Sequence, residues 1–465
     1  MLLNVILSNK FVASSIESVC EKAYTKEKNR NKAVQMKKIS IGIIGFGEFS
    51  ESYLDLWLNH PLIERVVGAE MIAERREHIS KTYGIKLYES YDELLAMESD
   101  IQCIGIFTPR HLHGAMVIRA LKLGKHVFSA VPMGITEAEI CEILELVKRT
   151  RLTYMMAETC YYFPCAVWCR KSYKEGRFGK FVYGAAQYYH DIMDMKAAYA
   201  SAGDRWKWVA GIPPMYYATH SMSMLFSSID DVPVEVTCFG YEDTQGDGIY
   251  GKGNNQWDNP YSNETAIFRM SKGGIARINE FRRIGNARPT SYISALYGDT
   301  GTYEGSGMQH IFNRNDYYND KEYSSSDVSD EINTHNYRRM EESDPLKKGM
   351  AGRTDYYYAM GFSDIQDTGR LPESFIRIRE VAHTNSVLGH NGTHLFLADD
   401  FVRAVVTGKL PSIDPWMAAT YTMAGIYAHE SAMQGGVTLK LPEIGSAPED
   451  WAHIDYADIN YDELS

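Results

Sequence analysis

A glycine-containing turn between an apolar strand and a helix constrains this fold more than any other feature of the sequence. Lys38–Ile44 is a short β-rich run, Gly45-Phe46-Gly47 follows it directly, and Glu51–Asn59 has the pattern of a helix. Further predicted strands alternate with helices at 66–71, 101–107, 126–129 and 153–157. Strands and helices that alternate over short connections are typical of a parallel, doubly wound α/β sheet.

The turn has the composition of a dinucleotide-binding site. In Gly45-x-Gly47-x-x-Ser50 the first glycine permits a tight turn, and the second lets the backbone approach a pyrophosphate at the helix N-terminus. Glu70 ends the second strand, where a carboxylate binds ribose hydroxyls and repels a 2′-phosphate. The pattern therefore predicts NAD, with NADP as the alternative. The candidate cofactor contacts of this region are Gly45, Phe46, Gly47, Phe49, Ser50 and Glu70.

After about residue 158 the pattern changes to longer strands joined by hairpin turns. These strands are predicted at 181–189, 234–240, 264–270, 275–281 and 291–297. They predict a second, α+β domain with a mostly antiparallel open sheet. Residues 305–348 are polar and aperiodic, which predicts a long loop. We therefore divide the chain into an extension (1–36), a Rossmann domain (37–158), a substrate and oligomerisation domain (159–445) and a tail (446–465).

Charge and cysteine content exclude several classes of protein. Lysine and arginine number 48 against 60 acidic residues, so no basic surplus exists to neutralise nucleic-acid phosphates. No apolar run reaches the roughly 18 residues of a membrane span, and no secretory signal is recognisable. The odd count of 7 cysteines fits a reducing compartment, so we expect a cytoplasmic protein. Cys160, Cys165 and Cys169 match no zinc pattern, and we expect no metal site.

Two motifs resemble the Gfo/Idh/MocA oxidoreductases. They are Thr108-Pro109-Arg110-His111-Leu112-His113 and Gly124-Lys125-His126-Val127, and the resemblance extends from Lys38 to about Pro442. In that family the threonine–proline turn and the following histidine lie along the nicotinamide half of NAD. The resemblance thus implies a Rossmann domain, a second domain whose open sheet covers the site, and a homodimer or homotetramer. It also implies these cofactor contacts: Thr108, Pro109, Arg110 and His113.

Two positions depart from the common dehydrogenases of that family. Those enzymes carry Glu-Lys-Pro after the His-Val strand, and the lysine helps a substrate hydroxyl to lose its proton. Here the tripeptide is Ala130-Val131-Pro132. Many members also place an aspartate four residues before the catalytic histidine, where this chain has Tyr216 before His220. The Val-Pro pair is instead similar to glycoside hydrolase family 109, the NAD-dependent glycosidase branch, and implies that Val131 lies at the cofactor.

Four further segments resemble the same branch. They are Glu158-Thr159-Cys160-Tyr161, Tyr188-Tyr189-His190-Asp191, Arg205-Trp206-Lys207 and Tyr217-Ala218-Thr219-His220. The resemblance implies that Trp206 and Lys207 lie by the cofactor, and that five residues carry the chemistry: Glu158, Tyr188, His190, Tyr217 and His220. Ala130, Thr159, Ala218 and Ser221 differ from the branch, so its substrate is not carried over.

The reaction of that branch implies a role for each residue. Oxidation at C3 of a sugar acidifies the C2 hydrogen, a base removes it, the group on C1 leaves, water adds, and the ketone is reduced again. We assign His220 and Tyr217 to the C3 hydroxyl, Tyr188 and His190 to C2, and Glu158 to orientation or general acid catalysis. The expected substrate is a carbohydrate or glycoside. The alternatives are a conventional NAD(P)-dependent sugar dehydrogenase and a non-catalytic NAD-binding protein.

Overall fold

The computed structural model describes residues 37–193, 196, 206–285, 290–306, 309–316, 322–332, 366–384, 389–390 and 392–464. Its N-terminal part is a six-stranded parallel sheet with strand order β3-β2-β1-β4-β5-β6. The strands are β1 (Ile39–Ile44), β2 (Ile63–Ala69), β3 (Lys86–Tyr88), β4 (Cys103–Ile106), β5 (His126–Ser129) and β6 (Tyr154–Met156). The helices between them are α1 (Glu48–Leu58), α2 (Ala73–Tyr83), α3 (Tyr91–Met97), α4 (His113–Lys122) and α5 (Glu137–Thr150).

Burial explains why the strands of this half of the chain could be predicted from the sequence. β1 and β4 lie side by side at the centre of the sheet, and every residue of both strands is buried. A parallel sheet covered on both faces selects continuous apolar runs of this kind. The predicted doubly wound sheet is therefore confirmed.

The second domain is built on a nine-stranded sheet of order β14-β13-β12-β11-β7-β10-β9-β8-β15. Neighbouring strands are antiparallel except for β7 and β10, which are parallel. The strands are β7 (Phe181–Tyr189), β8 (Pro233–Glu242), β9 (Tyr261–Met270), β10 (Ile275–Phe281), β11 (Thr290–Gly298), β12 (Gly301–Gly305), β13 (His310–Asp316), β14 (Glu322–Asp327) and β15 (Leu439–Lys440). The predicted α+β domain with a mostly antiparallel sheet is confirmed.

The second domain also contains helices within the described residues. They are α6 (Pro164–Lys174), α7 (Trp206–Ala210), α8 (Thr219–Phe226), α9 (Ser329–Ile332), α10 (Glu373–Ile376), α11 (Thr393–Thr407) and α12 (Pro415–Met433). Short 3-10 turns at Thr159–Tyr162 and Pro214–Tyr217 precede α6 and α8. α8 packs on β7 and β10, and α12 packs on β8 and against α5 of the first domain. Within the described part of the chain, no helix is long and apolar enough to cross a membrane.

The predicted long loop over 305–348 is wrong where the structure describes that segment. β13 and β14 pair as a hairpin and extend the sheet at one edge. Edge strands bury few side chains, and the exposed part of β14, residues 323–327, reads Tyr-Ser-Ser-Ser-Asp. Without an apolar alternation, the sequence offered no signal for these strands. The extension 1–36 and residues 333–365 lie outside the described residues.

Close contact between β2 and the glycine turn gives a test of the first domain. A Cβ added at Gly68 would stand 2.5 Å from the ring of Phe46, which is fully buried. We expect Gly68→Ala to lower the free energy of unfolding by about 1–3 kcal/mol, because the buried ring must shift. Gly285→Ala is the matched control, since a Cβ there meets no atom within 4 Å. Equal urea midpoints for the two variants would contradict this packing.

Candidate active site

The glycine turn at the end of β1 fits a pyrophosphate group. Gly45 has a φ of +85°, and a Cβ there would lie 3.1 Å from the carbonyl oxygen of Phe107. Gly47 caps α1 without any side-chain hydrogen bond, and a Cβ on it would meet nothing within 4 Å. Uncapped N–H groups at a helix N-terminus with open space before them attract anions. The predicted dinucleotide contact therefore has both the donors and the room that it needs.

Glu70 holds this turn in place. Its carboxylate accepts hydrogen bonds from the backbone N–H of Phe46 at 2.8 Å and of Ile72 at 2.9 Å. The guanidinium of Arg75 stands 3.5 Å from the same carboxylate. Ser50 closes the turn from the helix side by donating to the carbonyl of Gly47 at 2.7 Å. The carboxylate predicted to meet ribose is thus rigidly positioned beside the turn.

The threonine–proline motif is braced by its second histidine. The ring nitrogens of His113 lie 2.8 Å from the carbonyl oxygen of Thr108 and 2.9 Å from that of Pro132. Val131 and Pro132 are joined by a cis peptide bond. Because His113 is buried and both nitrogens face backbone oxygens, its side chain positions these two turns. The contact of His113 with the cofactor stays a prediction.

Four aromatic side chains with proton-transfer groups come together below the second domain's sheet. The hydroxyl of Tyr188 lies 2.8 Å from Nδ1 of His190. The ring of His220 is 4.7 Å from the ring of Tyr188 and 4.7 Å from that of Tyr217, between centroids. Tyr188 and Tyr217 are 5.7 Å apart by the same measure. The structure thus brings together the two pairs that the sequence predicted separately.

Tyr217 lies between two guanidinium groups. The guanidinium carbon of Arg110 is 4.0 Å from the centre of its ring, and that of Arg282 is 4.8 Å away. Burial opposes ionisation of the phenol, but the charges of Arg110, His220 and Arg282 outweigh it and lower the pKa of Tyr217 to about 8. Arg110, predicted as a cofactor contact, therefore acts on Tyr217. Arg282 was not predicted.

His220 forms a buried ion pair with Glu158. Its Nδ1 lies 2.6 Å from Oε1 of Glu158, which also accepts the backbone N–H of Cys160 at 2.9 Å. Burial opposes the charged imidazole, but the negative charge of Glu158 raises the pKa of His220 well above its usual value. His220 is therefore a cation beside Tyr217. Glu158 is fully buried, so it orients the imidazole of His220 and keeps it protonated without itself reaching solvent.

Burial shifts the pKa values of Tyr188 and His190 in opposite directions. Burial raises the pKa of Tyr188 well above its usual value, so this phenol keeps its proton. Burial, helped by the charges of Arg282 and Arg110, lowers the pKa of His190 well below its usual value. A neutral imidazole held at one nitrogen by a tyrosine can accept a proton at the other.

A row of polar residues crosses the sheet at Tyr188. Ser291 of β11 and Glu280 of β10 are its cross-strand neighbours, and Glu264 of β9 is the next along the row. Glu280 is fully buried, and within the described residues neither carboxylate oxygen has a hydrogen-bond partner. Its nearest charge is Arg282 at 3.7 Å, and burial raises the pKa of Glu280 well above its usual value. Sequence reasoning missed this row because strand register between distant segments leaves no local signal.

Trp206 and Lys207, the other predicted cofactor contacts, lie against residues of the second domain. Trp206 packs with Ile192, Ala210, Ile249 and Tyr250, and Lys207 donates to the carbonyl of Asp247 at 2.6 Å. Both therefore contact the connection between β8 and β9, and Arg205 lies outside the described residues.

A histidine pair at the start of α11 lies against the glycine turn. Nδ1 of His390 lies 2.8 Å from Nε2 of His394, and the ring of Phe49 from the glycine turn packs edge-on against both. Burial and the charge of His220 lower the pKa of His390 to about 4. His390 is thus a neutral group beside Phe49 of the glycine turn.

Glu158, Cys160 and His220 also form a group of metal-ligand types. Each offers one ligand atom, these atoms lie within 4.8 Å of one another, and all three side chains are buried. Cys165 and Cys169, which adjoin Cys160 in sequence, are buried free thiols outside this group.

Comparison with known proteins agrees with this geometry. Residues 39–158 match the sequence model of the Gfo/Idh/MocA family, described as an oxidoreductase family with an NAD-binding Rossmann fold. The N-terminal domain is therefore a Gfo/Idh/MocA NAD-binding domain.

Curated relatives refine this assignment. A glycosyl hydrolase family 109 protein of Streptomyces filamentosus is 22% identical over 428 residues, which is 87% of this chain and 77% of that protein. One from Saccharopolyspora erythraea is 24% identical over 57% of this chain and 62% of its own length. An alpha-N-acetylgalactosaminidase of Shewanella oneidensis is 29% identical over 34% of this chain and 37% of its own length. The chain thus resembles family 109, and two of these alignments span less than two thirds of the relative.

Solved structures share the fold. A levoglucosan dehydrogenase in complex with NADH superposes with a TM-score of 0.63 and 16% identity, covering 88% of this chain and all (100%) of that one. The same enzyme has been solved with NADH and levoglucosan, at a TM-score of 0.62 and 17% identity over 87% of this chain. At this identity the likeness concerns the fold alone.

Proposed function

We propose that this protein is an NAD-dependent glycosidase that leaves its cofactor unchanged over one turnover. The observation that carries the proposal is Tyr217, a half-buried phenol made acidic by two guanidinium groups and a charged histidine. It replaces the lysine of the common dehydrogenases, whose position here is Val131. The resemblance to family 109 over most of the chain supports the same conclusion.

Proton transfer at C3 is the part of the chemistry assigned to Tyr217. NAD bound at the glycine turn supplies reversible acceptance of a hydride from a substrate carbon. The Tyr217 phenolate takes the proton of the C3 hydroxyl, and the His220 cation stabilises the negative charge on oxygen. Glu158 keeps His220 charged through their 2.6 Å contact.

Proton removal at C2 is assigned to His190. Once C3 is a ketone, the C2 hydrogen is acidic enough for a neutral imidazole to remove it. In the tautomer that this role needs, Nδ1–H of His190 donates to the Tyr188 oxygen over 2.8 Å, which fixes the ring and leaves Nε2 as the acceptor. Loss of that proton expels the group on C1, and water then adds at the same carbon. Tyr217 and His220 are assigned to C3, and His190 is assigned to C2. Because the residues differ, variants can test the two steps separately.

One assay separates this proposal from its alternatives. Purified protein is incubated with aryl glycosides while released phenol and NADH absorbance are followed together. Phenol release without net NADH is expected. Net NADH together with an oxidised free sugar would indicate a conventional dehydrogenase, and neither signal a non-catalytic NAD-binding protein. Incorporation of deuterium from solvent at sugar C2 is the further expected mark of the elimination.

The pKa of Tyr217 predicts a pH dependence. Because the phenolate is the active form, kcat/KM should rise with pH and level off above about 8. Arg282→Met removes one of the charges that lower the pKa of Tyr217, so the midpoint of this rise should move to higher pH. A pH–rate profile of both proteins measures the shift. A midpoint unchanged in the variant would remove Arg282 from this role.

NAD is proposed as a tightly held cofactor, in preference to NADP. Glu70 lies beside the turn with its carboxylate fixed by two backbone donors, and a 2′-phosphate placed there meets a negative charge. We expect NADP to bind at least about tenfold more weakly than NAD by calorimetry, with Glu70→Ala reducing the difference. An equal preference in both proteins would contradict the role of Glu70.

A second copy of the chain is the partner proposed for the outer face of the large sheet. Phe239, Tyr241, Ile267 and Ile275 lie on the face opposite Tyr188 and are 64%, 56%, 43% and 46% exposed. Among the described elements, α8 and α12 pack on the inner face. Polar side chains such as Thr265 and Arg277 stand between them, and four large exposed apolar side chains on one sheet face favour an interaction surface. Light scattering should give a dimer or tetramer, and Ile267→Arg should give monomer.

A further inference from the structure

We propose that Glu158, Cys160 and His220 form a binding site for a soft divalent cation such as Zn²⁺, and that a bound cation removes the positively charged form of His220 that stabilises negative charge beside Tyr217. The binding part of this proposal stands on geometry alone. The blocking part rests on the proposed function, in which His220 must stay protonated and close to Tyr217.

The three side chains converge from two elements. Glu158 precedes the 3-10 turn Thr159–Tyr162, Cys160 lies inside it, and His220 is in the first turn of α8. Their ligand atoms all lie within 4.8 Å of one another. The ligand atoms of tetrahedral zinc stand about 3.3–3.8 Å apart, so side-chain adjustments of about 1 Å complete the cluster.

A second observation points to an open ligand position. Oε1 of Glu158 is used by His220 and by the backbone N–H of Cys160. Oε2 of the same carboxylate is buried and has no hydrogen-bond partner among the described residues. Buried carboxylate oxygens are almost always paired, and an unpaired one next to a thiol and an imidazole is a vacant metal ligand.

The donor set selects the cation. Thiolate, imidazole and carboxylate are the ligands of zinc, whereas Mg²⁺ and Ca²⁺ require oxygen ligands. Three protein ligands leave a fourth position open. Because zinc binds a thiolate and a neutral imidazole, binding releases the thiol proton of Cys160 and the ring proton of His220 to solvent.

Cobalt titration tests the site without any assay of activity. Co²⁺ added to the purified full chain should produce a thiolate-to-cobalt charge-transfer band, which Zn²⁺ should displace. Cys160→Ser and Cys160→Ala should both lose the band, while the matched control Cys165→Ser should keep it. Circular dichroism checks that each variant is folded. No band with the wild-type protein, or a band that survives in folded Cys160 variants, overturns the site.

Measurements of turnover test whether bound Zn²⁺ blocks the reaction. Saturating Zn²⁺ should reduce phenol release from an aryl glycoside at least tenfold in the wild type and in Cys165→Ser, and EDTA should restore it. The Cys160 variants should resist Zn²⁺. A cobalt band without inhibition by Zn²⁺ would overturn the blocking part and leave the site. A cobalt band in a protein that never releases phenol, even after EDTA, would instead overturn the proposed glycosidase.

Discussion

The Tyr217→Phe variant is expected to lose about 10²–10⁴-fold in kcat/KM, which is the usual contribution of a positioned proton-transfer group. Phenylalanine keeps the ring between Arg110 and Arg282, so the packing remains while the oxygen that takes the C3 proton is lost. The rate of phenol release from an aryl glycoside measures the effect.

The neighbouring tyrosine supplies the control for this prediction. Tyr216 stands edge-on to His429, with ring centroids 5.4 Å apart, and the sequence places it next to Tyr217. Tyr216→Phe removes one hydroxyl of the same kind and should leave kcat/KM within about threefold of the wild-type value. If the two variants behaved alike, Tyr217 would have no role in proton transfer.

Glu158→Gln is expected to cost both stability and activity. Removing one partner of a buried ion pair destabilises a protein by about 3–5 kcal/mol. Because Glu158 raises the pKa of His220 in the folded protein, this stabilisation is fully present below about pH 6.5 and is lost as pH rises through the folded value. The loss should therefore be largest near pH 6 in urea unfolding. Phenol release should also fall, by about 10²-fold, because His220 loses its charge.

A second buried pair of the same kind separates the two effects. His429 and Glu264 stand 2.7 Å apart, against 2.6 Å for His220 and Glu158. Glu264→Gln should destabilise the protein comparably but leave kcat near the wild-type value at temperatures where the protein stays folded. Loss of activity in both variants would mean that Glu158 acts through stability alone.

The local pattern of the sequence was enough to predict most of the fold. The limits of β7 and β10 agree with the structure because both strands are long, half buried and ended by clear turns. The hairpin of β13 and β14 could not be predicted, since residues 323–327 of β14 are mostly polar and exposed at a sheet edge. Strand alternation also predicted that Tyr188 and His190 share a face, as their hydrogen bond requires.

The electrostatics of the site could not be predicted from the sequence. Arg282 and Glu280 reach Tyr217 and Tyr188 because β10 pairs with β7 in parallel, and no local pattern reveals that register. Arg110 was predicted at the cofactor from its motif, yet its guanidinium rests on Tyr217. A motif identifies which residues belong to a site, whereas the partner of each charge depends on how separate segments pack.

The position of Arg110 links chemistry to the meeting of the two halves of the molecule. Arg110 belongs to the nucleotide-binding half and Tyr217 to the sheet half. If the halves separated, Tyr217 would lose the guanidinium of Arg110, while His220 and Arg282 of its own half would still lower its pKa. Under the proposed function, contact between the halves therefore helps to set how readily this phenol gives up its proton.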